Sequence, residues 1–486
     1  MRSLLVSSVI SIVFCFGLCK GIEISEVHVE QSRIIVVPAG ASLQKAIEQA
    51  KGGDIIQLQA GASYDAIVLP KKDSFGVITI RPSGVEQMAE NFECNDKNLR
   101  GKFTAKVVTR GKGISAVSTK AGASGYRFVC IEFAHEGGGY VYNLVYLGSE
   151  DERRFIPSDF EFDRCVFRSS NIGKTRRGIA VNAANVIIKK SYFEGFAYPQ
   201  EETQAIAGWT GTRNLKILDS YIEGGAENIL FGGADPENSD LIPQDIEIRG
   251  NYLKKRPEWK NSATIKCLFE LKNAKRVVFA ENYLENNWEG AAFRITVRNQ
   301  DGRATFSTIE DVLIENNIID GAGGGINILG KDDTFVSQVL RGLIIRNNLF
   351  LRIGTDNFAG GGYFVQVSDG KDILIENNTV FNEGNIVTFH GKMPENFIFR
   401  KNIVGHGLYG IHGLPNVFSL TKEFQNNIVV NNRKVSNSDR AFPNGNLWVS
   451  DYSKVIGKGF VPLVQAGFDP SKLPSNLLSR IVNRER

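Results

Sequence analysis

The sequence predicts an all-β chain, a single-stranded parallel β-helix solenoid with an N-terminal capping helix, and three observations predict it. A small polar residue followed by two apolar ones recurs at about 30-residue spacing, at Cys165, Ser191, Ser220, Asn251, Asn282, Asn317, Asn348, Asn378, Asn402 and Asn427, with Ile131 in the same place one turn earlier. The segments between carry short period-2 alternations, such as Ile246-Glu247-Ile248 and Ile373-Leu374-Ile375, and no helical periodicity. Near the start, Ser42 precedes a run from Leu43 to Lys51 with apolar residues at helical spacing, stopped by Gly52-Gly53.

Each element follows from these patterns. A propeller blade needs a period of some 40 to 50 residues, longer than the spacing here, whereas one β-helix coil fits it. Strands of successive coils stack at about 4.8 Å, so a residue recurring once per coil forms a column, and stacked asparagines in such a column hydrogen-bond to one another at a bend. The asparagines are therefore structural. An open coil exposes apolar interior and unpaired strand edges, so the helix after Ser42 is expected to plug the first coil. The expected organisation is a signal peptide over 1–21, an N-terminal cap over 22–60, the β-helix over 61–431, and a C-terminal cover and tail over 432–486.

Met1-Arg2-Ser3, the apolar run Leu4 to Leu18 and the Cys19-Lys20-Gly21 segment have the pattern of a secretory signal. The expectation is a secreted, extracellular protein, periplasmic if the source is Gram-negative, and no membrane association after signal removal, since no later apolar run spans a bilayer. With Lys+Arg 57 against Asp+Glu 53, the charge of +4 is too balanced for a nucleic-acid binder. Four cysteines remain after the signal, Cys94, Cys130, Cys165 and Cys267, too sparse for a disulfide scaffold and without zinc-ligand spacing. No metal or other cofactor is expected, and the chain is expected to be a monomer.

The segment Gly53-Asp54-Ile55-Ile56-Gln57-Leu58, followed by the asparagine coils, resembles the pectin-lyase-like superfamily of right-handed parallel β-helices over nearly all of the mature chain. The strings Phe231-Gly232-Gly233-Ala234-Asp235-Pro236, Phe269-Glu270-Leu271-Lys272-Asn273-Ala274 and Val297-Arg298-Asn299-Gln300-Asp301-Gly302 look like those of secreted bacterial β-helix proteins without an assigned activity. The resemblance implies a right-handed coil and a polysaccharide partner. More distant relatives include pectate lyases, chondroitinase B, alginate lyases, polygalacturonase-type hydrolases and pectin methylesterases. Fold alone does not choose among them.

Side-chain parity places the candidate chemistry. Phe269 and Leu271 facing the core put Glu270 and Lys272 outside, and Ile295 and Val297 facing inward put Arg294, Thr296 and Arg298 outside. Trp209, Asn327, Gln366 and His390 sit at comparable positions on adjoining coils, and Asn299 and Gln300 follow Arg298. Together they would make an outward strip of base, cation, amide and aromatic groups.

Cleavage of a uronic-acid polymer by β-elimination needs the carboxylate neutralised, the adjacent proton removed and the leaving oxygen protonated. Lys272 beside Arg298 or Arg294 supplies a base and a bidentate carboxylate clamp, with Glu270 and His390 as further acid–base candidates. The Lys272 to Arg294 spacing is similar to the lysine-to-arginine spacing of chondroitinase B and related alginate lyases. Those enzymes carry acidic calcium ligands shortly before the lysine, where this chain has Ile265, Lys266 and Cys267, so calcium lacks a clear ligand set. Of the two arginines, Arg298 lies within the shared string and Arg294 outside it.

Hydrolysis is the second reading and needs two carboxyl groups at a set separation. Asp332 and Asp333 are the obvious pair, with Glu227 and Asp235 flanking a glycine-rich turn. Of the polygalacturonase strings only an aspartate pair and Gly405-His406-Gly407 are present, too far apart in sequence to reproduce that family's spacing. Trp209 is a stacking platform for a sugar ring, and His412 resembles His390 in placement. Lys254-Lys255-Arg256 with Lys260 reads as a solvated loop that would favour an anionic polymer if it borders the strip. Binding without cleavage, as in an adhesion β-helix, is the third reading.

Overall fold

Alternating apolar residues and left-handed bends set the shape of each coil. The computed structural model describes residues 32–74, 76–87, 103–148, 155–436 and 442–482, so the expected signal peptide and Cys94 lie outside the described residues. In one coil, Gln244–Arg249 forms the first strand, Tyr252–Lys254 the second and Cys267–Leu271 the third, after which Ala274–Ala280 opens the next coil. Ala274–Ala280 pairs in parallel with Gln244–Arg249, Ile246 opposite Val277 and Ile248 opposite Phe279. Repetition produces a 14-stranded parallel sheet on one face and a continuous strand network over the other two. The chain is a right-handed parallel β-helix.

The inward residues form one column of apolar side chains from Val37 to Phe442. Rings stack along it because equivalent residues lie one coil apart: Phe128 and Phe162 are 5.3 Å apart and nearly coplanar, and Phe167 and Phe193 are 4.2 Å apart.

The asparagine column forms as expected. Asn251, Asn282, Asn317, Asn348, Asn378 and Asn402 each donate from Nδ2 to the Oδ1 of the next, at 3.0, 3.0, 2.9, 3.0, 3.0 and 3.1 Å, the last reaching Asn427. Ser191 and Ser220 continue it by accepting the amide N–H of the preceding coil's residue, and Asn446 extends it by one more rung at 2.9 Å. Every rung follows a residue of positive φ: Lys190, Asp219, Gly250, Glu281, Asn316, Asn347, Asn377, Lys401 and Asn426. This bend turns the chain from the first strand into the second.

The ends differ from expectation. Parallel pairing begins with Ile34–Val37 on Ile55–Leu58, so the solenoid starts before residue 61, and the helix α1 (Leu43–Gln49) is the connection between its first two strands. Ser42 Oγ accepts from Lys45 N, and Leu43, Ala46 and Ile47 join the core. At the other end Leu447–Val449 pairs with Ile428–Val430, extending the solenoid past 431. The remaining segment runs back along the outside of the second strands, where Phe468, Leu473 and Leu477 cluster with Tyr283, Ile318, Leu349 and Leu351. Residues Arg33–Arg486 form one compact unit. No helix among the described residues is long and apolar enough to cross a membrane. Cys130 is disulfide-bonded, whereas Cys165 and Cys267 are free and buried.

Candidate functional site

The third strands supply the site, because their outward residues fall into register. Leu230 pairs with Glu270, Glu270 with Arg294, Arg294 with Asn327, and Asn327 with Gln366. Of the expected strip, Glu270, Arg294, Asn327 and Gln366 therefore share one column along the solenoid axis. A second column three residues earlier runs Asn143, Arg177, Gln204, Glu227 and Cys267.

Glu227 and Glu270 point away from the coil interior yet are sealed from solvent, with side chains 0 % and 2 % exposed. Lys266 closes over them: its Nζ lies 2.9 Å from Glu227 Oε1, 2.9 Å from Glu270 Oε2 and 3.6 Å from Glu202 Oε1. Gln204 Nε2 donates to Glu227 Oε2 at 2.8 Å, and Arg177 Nε donates to Gln204 Oε1 at 2.9 Å.

Burial pushes both carboxyls up, but the environments part them. At Glu227 the Lys266 charge and the donors from Gln204, Lys266 and Glu270 outweigh burial and hold it below the usual range. At Glu270 burial and the neighbouring Glu227 charge win over Lys266 and Lys272 and hold it above. Of the two, Glu270 is therefore the one that takes up a proton first as pH falls. Lys266 is desolvated too, but the two carboxylates keep its ammonium charged.

Beside this cluster stand two cations that nothing neutralises. Among the described residues no carboxylate lies within ion-pair distance of Lys272 or Arg294, and Arg294 Nε is buried without a hydrogen-bond partner. Tyr363 borders Arg294: burial raises its phenol, and the guanidinium charge partly offsets that rise. Two glycines make these approaches fit. A Cβ on Gly324 would lie 2.7 Å from the Tyr363 ring, and one on Gly232 (φ 93) would lie 2.7 Å from Asn273 N and 3.0 Å from the Lys272 Cβ.

The remaining expected residues divide. Arg298 is engaged, its Nη1 3.4 Å from Asp332 Oδ1 and in contact with Asp333 Oδ1, and that contact holds the Asp333 carboxyl low against the opposing effect of burial. Asp332 is a turn builder, accepting the amides of Asn299, Thr334 and Phe335. Asn299 is buried, accepts from Ala304 N and donates to Val336 O. Gln300 is exposed on the same turn. Asp235 accepts the amides of Asp301 and Arg303 and ties that turn to the glycine-rich one.

Asn327 and Gln366 are half-buried in the column, and the Gln366 amide touches the exposed His390 ring. His412 pairs in register with Thr388, so the two histidines do not share a column. Trp209 is half-buried, with Arg177 Cζ 4.9 Å from its ring centroid.

The Lys254-Lys255-Arg256 run is not a solvated loop. Lys255 is fully buried, its Nζ hydrogen-bonded to the carbonyls of Gly224 and Gly225 at 2.9 and 2.5 Å and to Asn228 Oδ1 at 3.2 Å. Arg256 Nη2 pairs with Glu223 at 2.7 Å. Burial brings the Lys255 ammonium down to about 8, and its cage fixes the turn that leads into Glu227.

The strip arguments did not find Lys266, Tyr363, Arg177 or Gln204. Two glycine runs one coil apart, Gly323-Gly324-Gly325 and Gly360-Gly361-Gly362, were the available signal for Tyr363, since glycine there implies close approach of another group. Among the described residues, the one group of possible metal ligands is Glu227, Cys267 and Glu270. Its donor set does not fit a hard cation such as calcium: the thiol is a soft ligand, held in its protonated form by burial and by the neighbouring glutamates. The Lys266 ammonium already supplies the positive charge.

No protein-family model and no curated protein matches the chain. Among solved structures it is similar to AlyGC, a PL6 family alginate lyase, at 14% identity with a TM-score of 0.51, and to a mutant of the same enzyme with a TM-score of 0.53. Each match covers 91% of this chain and 58% of the other, so this chain spans little more than half the length of that lyase. PfbA, a surface adhesin of Streptococcus pneumoniae, is matched at 14% identity over 87% of this chain and 90% of the adhesin, with a TM-score of 0.42. At these identities the likeness shows the fold.

Proposed function

We propose that this chain is an exported carbohydrate-active protein that cleaves an acidic glycan by β-elimination on the outer face of its third strands. The observation that carries the reading is a pair of basic side chains without a carboxylate partner among the described residues, Lys272 and Arg294, on adjacent coils beside the buried Glu270 carboxyl. Arg294 is half-buried with a sealed Nε that lacks an acceptor; such a group is costly unless something anionic completes it, and a uronate carboxylate matches its fork. Arg294 then holds the carboxylate and makes the neighbouring C–H more acidic. Lys272 Nζ takes that proton; the C–O bond to the leaving sugar breaks as the double bond forms; and the Tyr363 phenol protonates the departing oxygen. Glu270 and Lys266 complete the floor as an internal acid and cation, so the reaction is proposed to run without a metal. The role of α1 is proposed to be closure of the first coil. The likeness to an alginate lyase agrees with this reading, and an extracellular polysaccharide is the proposed partner of a monomeric protein.

Hydrolysis has weaker support. Asp332 and Asp333 are spent on a turn and on Arg298, and Glu227 and Glu270 are sealed beneath Lys266, so neither pair can flank a glycosidic bond as paired carboxyls must.

The test is incubation with acidic polysaccharides, following the ultraviolet absorbance of unsaturated uronate ends. Arg294→Ala and Lys272→Ala are each expected to slow the reaction about a hundredfold or more with unchanged melting temperature. New reducing ends without the absorbance would mean hydrolysis, and retention on polymer with neither would mean binding alone.

A further inference from the structure

The face that carries Lys272 and Arg294 continues toward the N-terminus as a groove of different chemistry. The outward column extends upstream through Val68, Ser118, Tyr146, Ala180, Ala207 and Leu230 before reaching Glu270, six coil steps or about 30 Å. Over its upstream half lies a cavity of about 680 Å³ walled by Val68, Ile114, Tyr142, Tyr146 and Trp209, in which Arg177 is the single charged lining residue among the described residues. Arg177 donates from Nε to Gln204 and from Nη1 to Asn143, and its guanidinium lies against the Trp209 ring. Tyr142, Ile114 and Val68 are 58%, 54% and 37% exposed, and Tyr142 is braced edge-on by Tyr140 at 4.9 Å. The adjoining hollow across Trp209 is bordered by Asp235 and Glu237.

Trp209 and Lys272 belong to one line. Gly208 pairs with Phe231 and Phe231 with Leu271, so the next residue on each strand gives Trp209, Gly232 and Lys272, and the glycine leaves no side chain between indole and ammonium. A polymer lying on Arg294 therefore passes over Gly232 onto Trp209 and then onto the tyrosine wall.

We infer that the groove from Trp209 to Val68 binds the uncharged sugar rings of a heteroglycan in which acidic residues alternate with neutral ones. This rests on the lyase reading for where the acidic sugar sits. Aromatic and aliphatic walls suit the apolar faces of neutral pyranoses. A homopolymer of uronates would instead set successive carboxylates against Tyr142, Ile114 and Val68, where Arg177 is the one cation among the described lining residues and is shared with Gln204, Asn143 and the Trp209 ring.

The test uses the full chain and affinity electrophoresis in gels containing one polymer each: hyaluronan and unsulfated chondroitin, which alternate acidic with neutral sugars, against alginate and polygalacturonate, which do not. Wild type is expected to bind at least one alternating polymer tenfold or more tightly than either homopolymer. Trp209→Ala and Tyr142→Ala should each weaken that retention about tenfold, with melting temperatures confirming the fold. Tighter retention on a homopolyuronate, retention on none of the four, or unchanged retention in both variants overturns the inference. Because the readout is binding, retention of an alternating polymer that is never cleaved upholds the groove and removes only the lyase reading.

Discussion

Glu270 shows how one residue's environment, rather than its identity, sets its chemistry. Parity puts it outside the coil, but burial and the Glu227 charge outweigh the Lys266 ammonium and raise its pKa above the ordinary carboxyl value. A carboxyl whose pKa is raised in the folded state contributes stability that is complete below its ordinary value of 4.5 and is lost as pH rises through the raised value. Glu227, held low, contributes in the opposite sense: its stabilisation is present above 4.5 and is lost on acidification. Thermal unfolding from pH 4 to 8 should therefore show wild type ahead of Glu270→Gln at the acid end, with the difference shrinking or reversing toward pH 8. A constant difference across that range would mean that the Glu270 pKa is not raised. Arg298 is the instructive contrast to Arg294. Its guanidinium is committed to Asp332 and Asp333, so Arg298→Ala should loosen the 298–303 turn, read as a lower melting temperature, where Arg294→Ala reads as lost turnover.

Among the elements, the bend before each second strand carries the most order. A left-handed residue turns the chain, and the following asparagine satisfies the backbone that the turn leaves open. Asn317 Nδ2 donates to Phe279 O and Glu315 O as well as to Asn348, and its Oδ1 accepts from the amide and side chain of Asn282. Asn317→Leu strands several buried groups at once and should destabilise by about 3 kcal/mol or more, measured as a fall in the denaturant midpoint. An unchanged midpoint would show the column to be dispensable. The asparagines were legible because they recur at coil spacing. The left-handed residues before them were not, since that position is filled by Lys, Asp, Gly, Glu and Asn in turn and is united by conformation instead of residue type.

For the whole molecule, the C-terminal segment is the element least foreseeable from the sequence. It reads as turn-rich tail, yet it returns over the outside of the second strands and buries Phe468, Leu473 and Leu477 against Tyr283, Ile318, Leu349 and Leu351, with Arg480 Cζ 4.4 Å from the Tyr252 ring centroid. Each such apolar side chain contributes about 1.5–3 kcal/mol on burial. A chain ending at residue 450 is expected to unfold at lower temperature and to self-associate through the uncovered patch, seen as a concentration-dependent shift in sedimentation. A monomer of unchanged melting temperature would show that the segment is not part of the stabilised body.

The sequence by itself determined the solenoid, its coil length, its internal asparagine column and the outward parity of Glu270, Lys272 and Arg294, because these follow from periodicity, and periodicity is local. It did not determine which outward groups are free. Arg294 and Arg298 look alike in the chain, and only the stacking of distant segments pairs one with Asp332 and Asp333 and leaves the other open. Lys255 reads as a surface cation and is sealed in a cage of carbonyls for the same reason: neighbours in space come from other coils, and their charges and volumes, absent from any local pattern, decide whether a side chain is structure or site.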